Sequence, residues 1–297
     1  MIASPSPYLA GRDRYERRMD GWTDNTHDDA FTHTVRLADD DRAIEMRAVC
    51  TASPTYELRE ASARVVAGTQ AGTDVPGLAR IGGARMVGGF TRRLAEVAGE
   101  GPVAALVVDA GVEIARLARQ VGRVPAARVA GVMAGGARAF WALDREAWVD
   151  LPDSCFTYSA AGEGLLAERA VTSPMSTAFY SPGPGARRIF VRRKLARLVR
   201  TGPRLDLFHA MHDEVHGFDV HYEIDLEREV IAAAHSVTSR LPYRGICDEP
   251  QRRIDAMVGQ VVDAGLRKRI QTVLGGEAGC AQLYDLTADL LKLCTLP

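Results

Sequence analysis

The sequence predicts an α+β protein made of two related modules, each a small antiparallel sheet followed by a helix pair. Three observations predict it. Short runs such as "FTHTVRL" (31–37) and "AIEMRAVC" (43–50) alternate apolar and polar residues around a turn-forming "ADDD", the pattern of a hairpin. Longer runs, "VPGLARIGGARMVGGFTRRLAEVAGEG" and "PVAALVVDAGVEIARLARQ", repeat apolar residues at i, i+3, i+4 and i+7, the pattern of two helices. This order of elements then recurs. Residues 78–117 set on 254–293 without a gap place Gly83 on Gly259, Gly89 on Gly265, Arg93 on Arg269, Asp109 on Asp285 and Leu117 on Leu293. The matched glycines and aspartate predict an internal duplication, with its copies packed about a pseudo-twofold axis as in a homodimer. The bland alternative is that two amphipathic helix pairs look alike by chance.

In chain order, residues 1–30 are polar and charged, and predict an arm that is loose or lies on a partner. The first module spans 31–135, with "TYELREASARVVAG" (55–68) as a further strand. Residues 136–186 predict an irregular connection ending in "SPGPGA" (181–186), where prolines and glycines forbid regular structure. The second module, 187–297, opens on "RRIFVRRKLARLVR", continues through strands including "EVIAAAHSV", and closes with helices.

Composition narrows the function classes. With 37 basic and 38 acidic residues the chain has no long-range field, which argues against nucleic acid or an anionic membrane as partner. No run approaches the roughly 20 apolar residues of a membrane span, and the start lacks a secretory core. Five cysteines without a leader predict reduced thiols and a cytoplasmic location. No glycine pattern of a dinucleotide or phosphate loop is present, nor a Gly-x-Ser-x-Gly elbow, so no redox cofactor is expected.

Four of the seven histidines crowd into "FHAMHDEVHGFDVHYEIDL" (208–226). The even positions from His216 to Leu226 are apolar or aromatic, and the odd ones acidic, which predicts a strand with one buried face. A two-residue turn at His212–Asp213 would set His209 opposite His216, about 5.5 Å apart at Cβ, and Leu207 opposite Phe218. Such a buried pair has three readings: a structural pair bonded to backbone or to Tyr222, a metal site, or an acid/base pair. Burial would lower the imidazole pKa and keep the ring neutral, which both functional readings can use. His209, His216, Tyr222 and Asp213 are therefore the catalytic candidates. Arg192, Arg193 and Arg197, in a run without acids, could grip an anion such as a carboxylate or phosphate, although such runs more often form a solvated edge. Trp141, Trp148, Phe156 and Tyr158 line a pocket or belong to the core.

Residues from about 187 onward resemble a bacterial family of unknown function, domain-of-unknown-function family 2889. The likeness rests on "VHGFDVHYEID", "LPYRGIC", "MVGQVVDAGLRKRI" and "LGGEAGCAQL"; more weakly, the whole chain resembles longer actinobacterial members, including "GPVAALVVDAG" and "DSCFTY". The resemblance implies no activity. It does mark His216, Cys247 and Cys280, and it departs at Gln282, where the family has histidine. One or two histidines with two cysteines are the ligand types of tetrahedral zinc. The resemblance thus implies a zinc site reduced to His216, Cys247 and Cys280; His209, set opposite His216, or water would be the fourth ligand, and Gln282 also allows an open or lost site. The other copy holds Ala104 at the position of Cys280 and nothing like Cys247. A reactive Cys280 at a helix start is the fallback, and ordinary buried thiols are the bland reading. The expectation is a small-molecule lyase, hydrolase or isomerase, acting on a small apolar or carboxylated molecule at the module interface. The alternative is a non-catalytic protein whose His/Cys cluster only stabilises the fold. Self-association stays open in both.

Overall fold

The computed structural model describes residues 12–294. Strands β1 (Arg14–Asp24), β2 (Ala30–Asp39), β3 (Ala43–Thr51) and β4 (Leu58–Ala67) form one antiparallel meander. Strands β5 (Phe190–Thr201), β6 (Arg204–His212), β7 (Gly217–Asp225) and β8 (Val230–Arg240) form a second. They are not separate sheets. β1 pairs with β5, giving a single eight-stranded antiparallel sheet in the order β4-β3-β2-β1-β5-β6-β7-β8. Helices follow each meander: α1 (Phe90–Ala98) and α2 (Pro102–Ala118) after the first, α7 (Leu266–Leu274) and α8 (Ala281–Lys292) after the second. Between the halves come α3 (Ala126–Met133), α4 (Gly136–Ala147), α5 (Ala160–Glu168) and the short α6 (Thr177–Tyr180), so the connection 136–186 is less irregular than expected; 181–186 does lack regular structure.

The alternation of the strands explains the two layers. Tyr15, Met19, Val35, Ile44, Leu198, Leu207 and Tyr222 are buried on one face, which carries α2 over β1–β3 and α8 over β6 and β7. On the opposite face Arg18, Asp20, Arg36, Arg193 and His221 meet solvent. Residues 14–24 are therefore not a loose arm. They are a central strand whose polar composition reflects its solvated face and its ion-paired Arg17, which holds Asp109 of α2 at 2.7 Å. Residues 1–11 lie outside the described residues. Close packing of α1 on α2 depends on Gly111, where an added Cβ would stand 2.1 Å from Leu94 Cδ2.

The two halves correspond in several details. The same sequence interval separates the first residues and the last residues of α1 and α7. Leu58 N–H donates to Ala84 O and Gly83 N–H to Leu58 O, while in the second half Ile231 N–H donates to Gln260 O and Gly259 N–H to Ile231 O. Across the helices Arg116 binds Asp285 at 2.9 Å and Lys292 binds Asp109. One interval again relates Asp109 to Asp285 and Arg116 to Lys292, so each helix offers the other the same pair of charges.

Candidate functional site

The expected His209–His216 pair does not form. β6 pairs with β7 so that His212 faces Gly217, His209 faces Val220 and Leu207 faces Tyr222. The cause is Asp213. Its Oδ1 accepts the backbone N–H groups of Val215 at 2.9 Å and His216 at 2.6 Å, and its own N–H donates to His216 O. This builds a four-residue loop in place of a two-residue turn. The register slips by an even number, so the same side chains stay buried while their partners change.

The two histidines consequently enter different cavities. His209 lies under α8, where its Nδ1 meets Leu286 O at 2.9 Å, and lines a large cleft between α2 and α8. Tyr222 is also under α8, its hydroxyl 2.8 Å from Thr287 Oγ1, away from His216. The arginines separate as strand alternation requires. Arg192 is fully buried with Nε 2.8 Å from Asp213 Oδ2, whereas Arg193 and Arg197 point to the open face towards Asp20 and Glu16. They form no common anion site, and their strand is central in the sheet, not an edge.

His216, Cys247 and Cys280 do line one cavity, of about 140 Å³. Its other walls come from the connection between the halves. The Phe156 N–H donates to Gly279 O at 2.8 Å, which docks the 151–159 loop on the start of α8 and brings Cys155 to the same cavity. Trp148, Phe179, Phe190, Phe218 and Leu241 make the cavity mainly apolar. Tyr158 lines it and stacks on Trp141, whose Nε1 donates to Thr157 O.

Among the polar residues that line this space, two buried titratable groups stand out. The first is His216, only 7% exposed, whose Nδ1 is held at 3.1 and 3.2 Å by the two oxygens of Asp213. Asp213 lies well below the ordinary carboxylate range: burial alone would raise it, but His216, Arg192 and the backbone amides outweigh that. Among the described residues Nε2 of His216 has no hydrogen-bond partner. The second group is Asp144 on α4, which the sequence did not reveal. It is 1% exposed, and its oxygens accept the hydroxyls of Tyr158 (2.7 Å), Tyr180 (2.5 Å) and Tyr243. Burial raises its pKa to about 6 against the lowering pull of the three tyrosines.

The cysteines behave otherwise. Cys247 Sγ is 2.9 Å from Thr157 Oγ1, and burial pushes its thiol far up. Cys155 is raised to about 11, again chiefly by burial. Cys280 stands at the N-cap of α8 as expected, but its thiol makes no capping hydrogen bond, and burial raises its pKa where the helix N-terminus was expected to lower it. Among the described residues no group of three or more His, Cys, Asp or Glu side chains is arranged to hold a metal ion. The donor set is incomplete for the expected four-ligand zinc site, because His209 lies in another cavity from His216, Cys247 and Cys280.

An antiparallel α+β sheet protein with a small, mainly apolar cavity between its two halves and their connection is the class these features define. Residues 200–295 match a family described as "Protein of unknown function (DUF2889)", in agreement with the resemblance read from the C-terminal half. No curated protein and no solved structure matches the chain. No helix among the described residues is long and apolar enough to cross a membrane.

Proposed function

We propose that the chain is a small-molecule enzyme of the isomerase or lyase class, with its chemistry at His216. The observation that supports this is the Asp213–His216 pair, whose unpartnered Nε2 borders an apolar cavity. Asp213 fixes Nδ1 as the protonated nitrogen and leaves Nε2 as a base. In the reaction Nε2 takes a proton from carbon next to a carbonyl. The electron pair of the broken C–H bond moves onto the carbonyl oxygen. The proton returns from His216 Nε2 to a different atom of the same molecule, which restores the neutral imidazole and completes an isomerisation. A cavity near 140 Å³ suits a molecule about the size of benzene. A hydrolase with a cysteine nucleophile is disfavoured, because burial keeps all three thiols protonated. That same burial favours the non-catalytic reading for the cysteines alone, as part of the apolar wall.

The test is solvent-deuterium incorporation into a panel of C4–C7 ketones and 2-oxo acids in D2O, followed by NMR. Wild-type protein should accelerate exchange, and His216→Gln, with an unchanged melting curve, should not. Equal rates for the two proteins across the panel would end the proposal.

The correspondence between the halves supports a second reading, that the chain arose by internal duplication. Reciprocal ion pairs at equal sequence intervals are what a twofold interface produces.

A further inference from the structure

The centre of the sheet carries a second unassigned cavity, a cleft of about 1030 Å³ between α2 and α8. Its floor departs from the correspondence between the two meanders. Met19 of β1 faces Lys194 of β5 across the central pairing, so a twofold axis through that pair exchanges them. The same operation carries Gly21 to Ala196, and hence their partners Val35 to His209, by the pairings Gly21–Val35 and Ala196–His209. The frame therefore accepts Met and Val at these places. In the second half they are Lys194 and His209, at 8% and 4% exposure, both lining the cleft. Burying a charge and an imidazole where apolar residues suffice costs stability unless both are paired.

The local chemistry indicates what the cleft receives. Lys194 is held by Glu113 at 2.7 Å and lies 3.8 Å from Asp289. Arg116 binds Glu113, Asp289 and Asp285. This inner group has three carboxylates to two cations, while Arg17 and Lys292 are engaged by Asp109. His209 donates its Nδ1–H to Leu286 O, and its Nε2 has no partner among the described residues. Because a carbonyl can only accept, Nδ1 carries the proton and Nε2 presents a lone pair. Burial first, then Lys194, lowers this imidazole to about 4, so it remains an acceptor at neutral pH. Val112, Leu266, Ile270 and Leu291 supply apolar walls.

We propose that this cleft binds an organic cation, a primary or secondary amine on an apolar body, with its ammonium donating to His209 Nε2 and to the Asp285–Asp289 carboxylates. The excess carboxylate of the inner group supplies the attraction, and the apolar walls take the tail. Asp285 and Asp289 remain partly accessible at 25% and 30% side-chain exposure, so an entering ammonium can reach them.

Hexylamine, hexanol and hexanoate are suitable probes of equal length, with binding to the full chain followed by calorimetry and by the imidazole nitrogen resonances of His209. Hexylamine should bind more tightly than hexanol and hexanoate and should shift Nε2. His209→Val, which installs the first half's residue, should keep the fold and weaken hexylamine by about tenfold or more, the loss of a hydrogen bond to a charged group. If that variant unfolds, Ala288→Phe, which fills the cleft from α8 without touching the ion pairs, should abolish binding. Hexanoate binding as tightly as hexylamine, unchanged hexylamine affinity in His209→Val, or its survival in Ala288→Phe would each overturn the proposal. None of these outcomes depends on His216, so the two sites are tested separately.

Discussion

Asp144 gives the most quantitative prediction. Its carboxyl is 1% exposed and holds three tyrosine hydroxyls, yet its pKa is raised from the ordinary 3.8 to about 6, because burial outweighs those hydrogen bonds. The folded-state value lies above the unfolded one. Between these two values the folded chain keeps a proton that the unfolded chain has released. The resulting stability is fully present below pH about 4 and is lost as the pH rises through about 6. At about 1.36 kcal/mol per pH unit, the difference between the two values is worth about 3 kcal/mol. Asp144→Asn keeps a similar shape and cannot titrate. Urea denaturation of both proteins at half-unit steps from pH 4 to pH 8 measures the effect. The wild type should lose about 2.5 kcal/mol relative to Asp144→Asn over this range, with the midpoint of the change at pH about 5. The neighbouring Asp213 does not confuse the result, since its folded pKa is depressed and its contribution is lost only at lower pH. Stability curves for the two proteins that run parallel would refute the reasoning.

The Asp213–Arg192 pair is fully buried on both sides, so Asp213→Asn should cost about 3–5 kcal/mol in denaturant by stranding a guanidinium. The double variant Asp213→Asn with Arg192→Met should recover part of that loss; an unchanged cost in the double variant would contradict this account. Iodoacetamide at pH 7.5 should leave Cys155, Cys247 and Cys280 unmodified in the folded protein and label them after unfolding. Mass spectrometry showing rapid native labelling of Cys280 would restore it as an activated thiol.

Much of the sheet was legible because strand faces are a local property. Alternation marked "FTHTVRL", "AIEMRAVC" and the stretch around Phe218, Val220 and Tyr222, and the buried set survived even where the register was misread. The errors come from non-local causes. Nothing within residues 14–24 announces that β1 will meet β5, so a central strand looked like a polar arm. The histidine pair failed because one carboxylate, Asp213, captured two backbone amides and lengthened a turn. The site was legible where it lay in the family-like half, at His216, Cys247 and Cys280. Asp144 was not, because its three tyrosines lie 14, 36 and 99 positions away and share no spacing. The arginine run misled because alternate positions on a strand face opposite ways.

The central pairing also bears on how the chain is made. Every neighbouring pair of strands except β1–β5 is joined by a short connection, so each meander can form as it emerges from the ribosome. β1 cannot be completed in that way. Until β5 has been synthesised, it presents a long unpaired edge, and the underside of α2 presents Glu113 without Lys194. For that interval the nascent first half offers other chains a ready template for strand addition. Translation speed between residues 67 and 190, and the attention of chaperones there, should therefore govern yield more strongly than any change of similar stability in the finished protein.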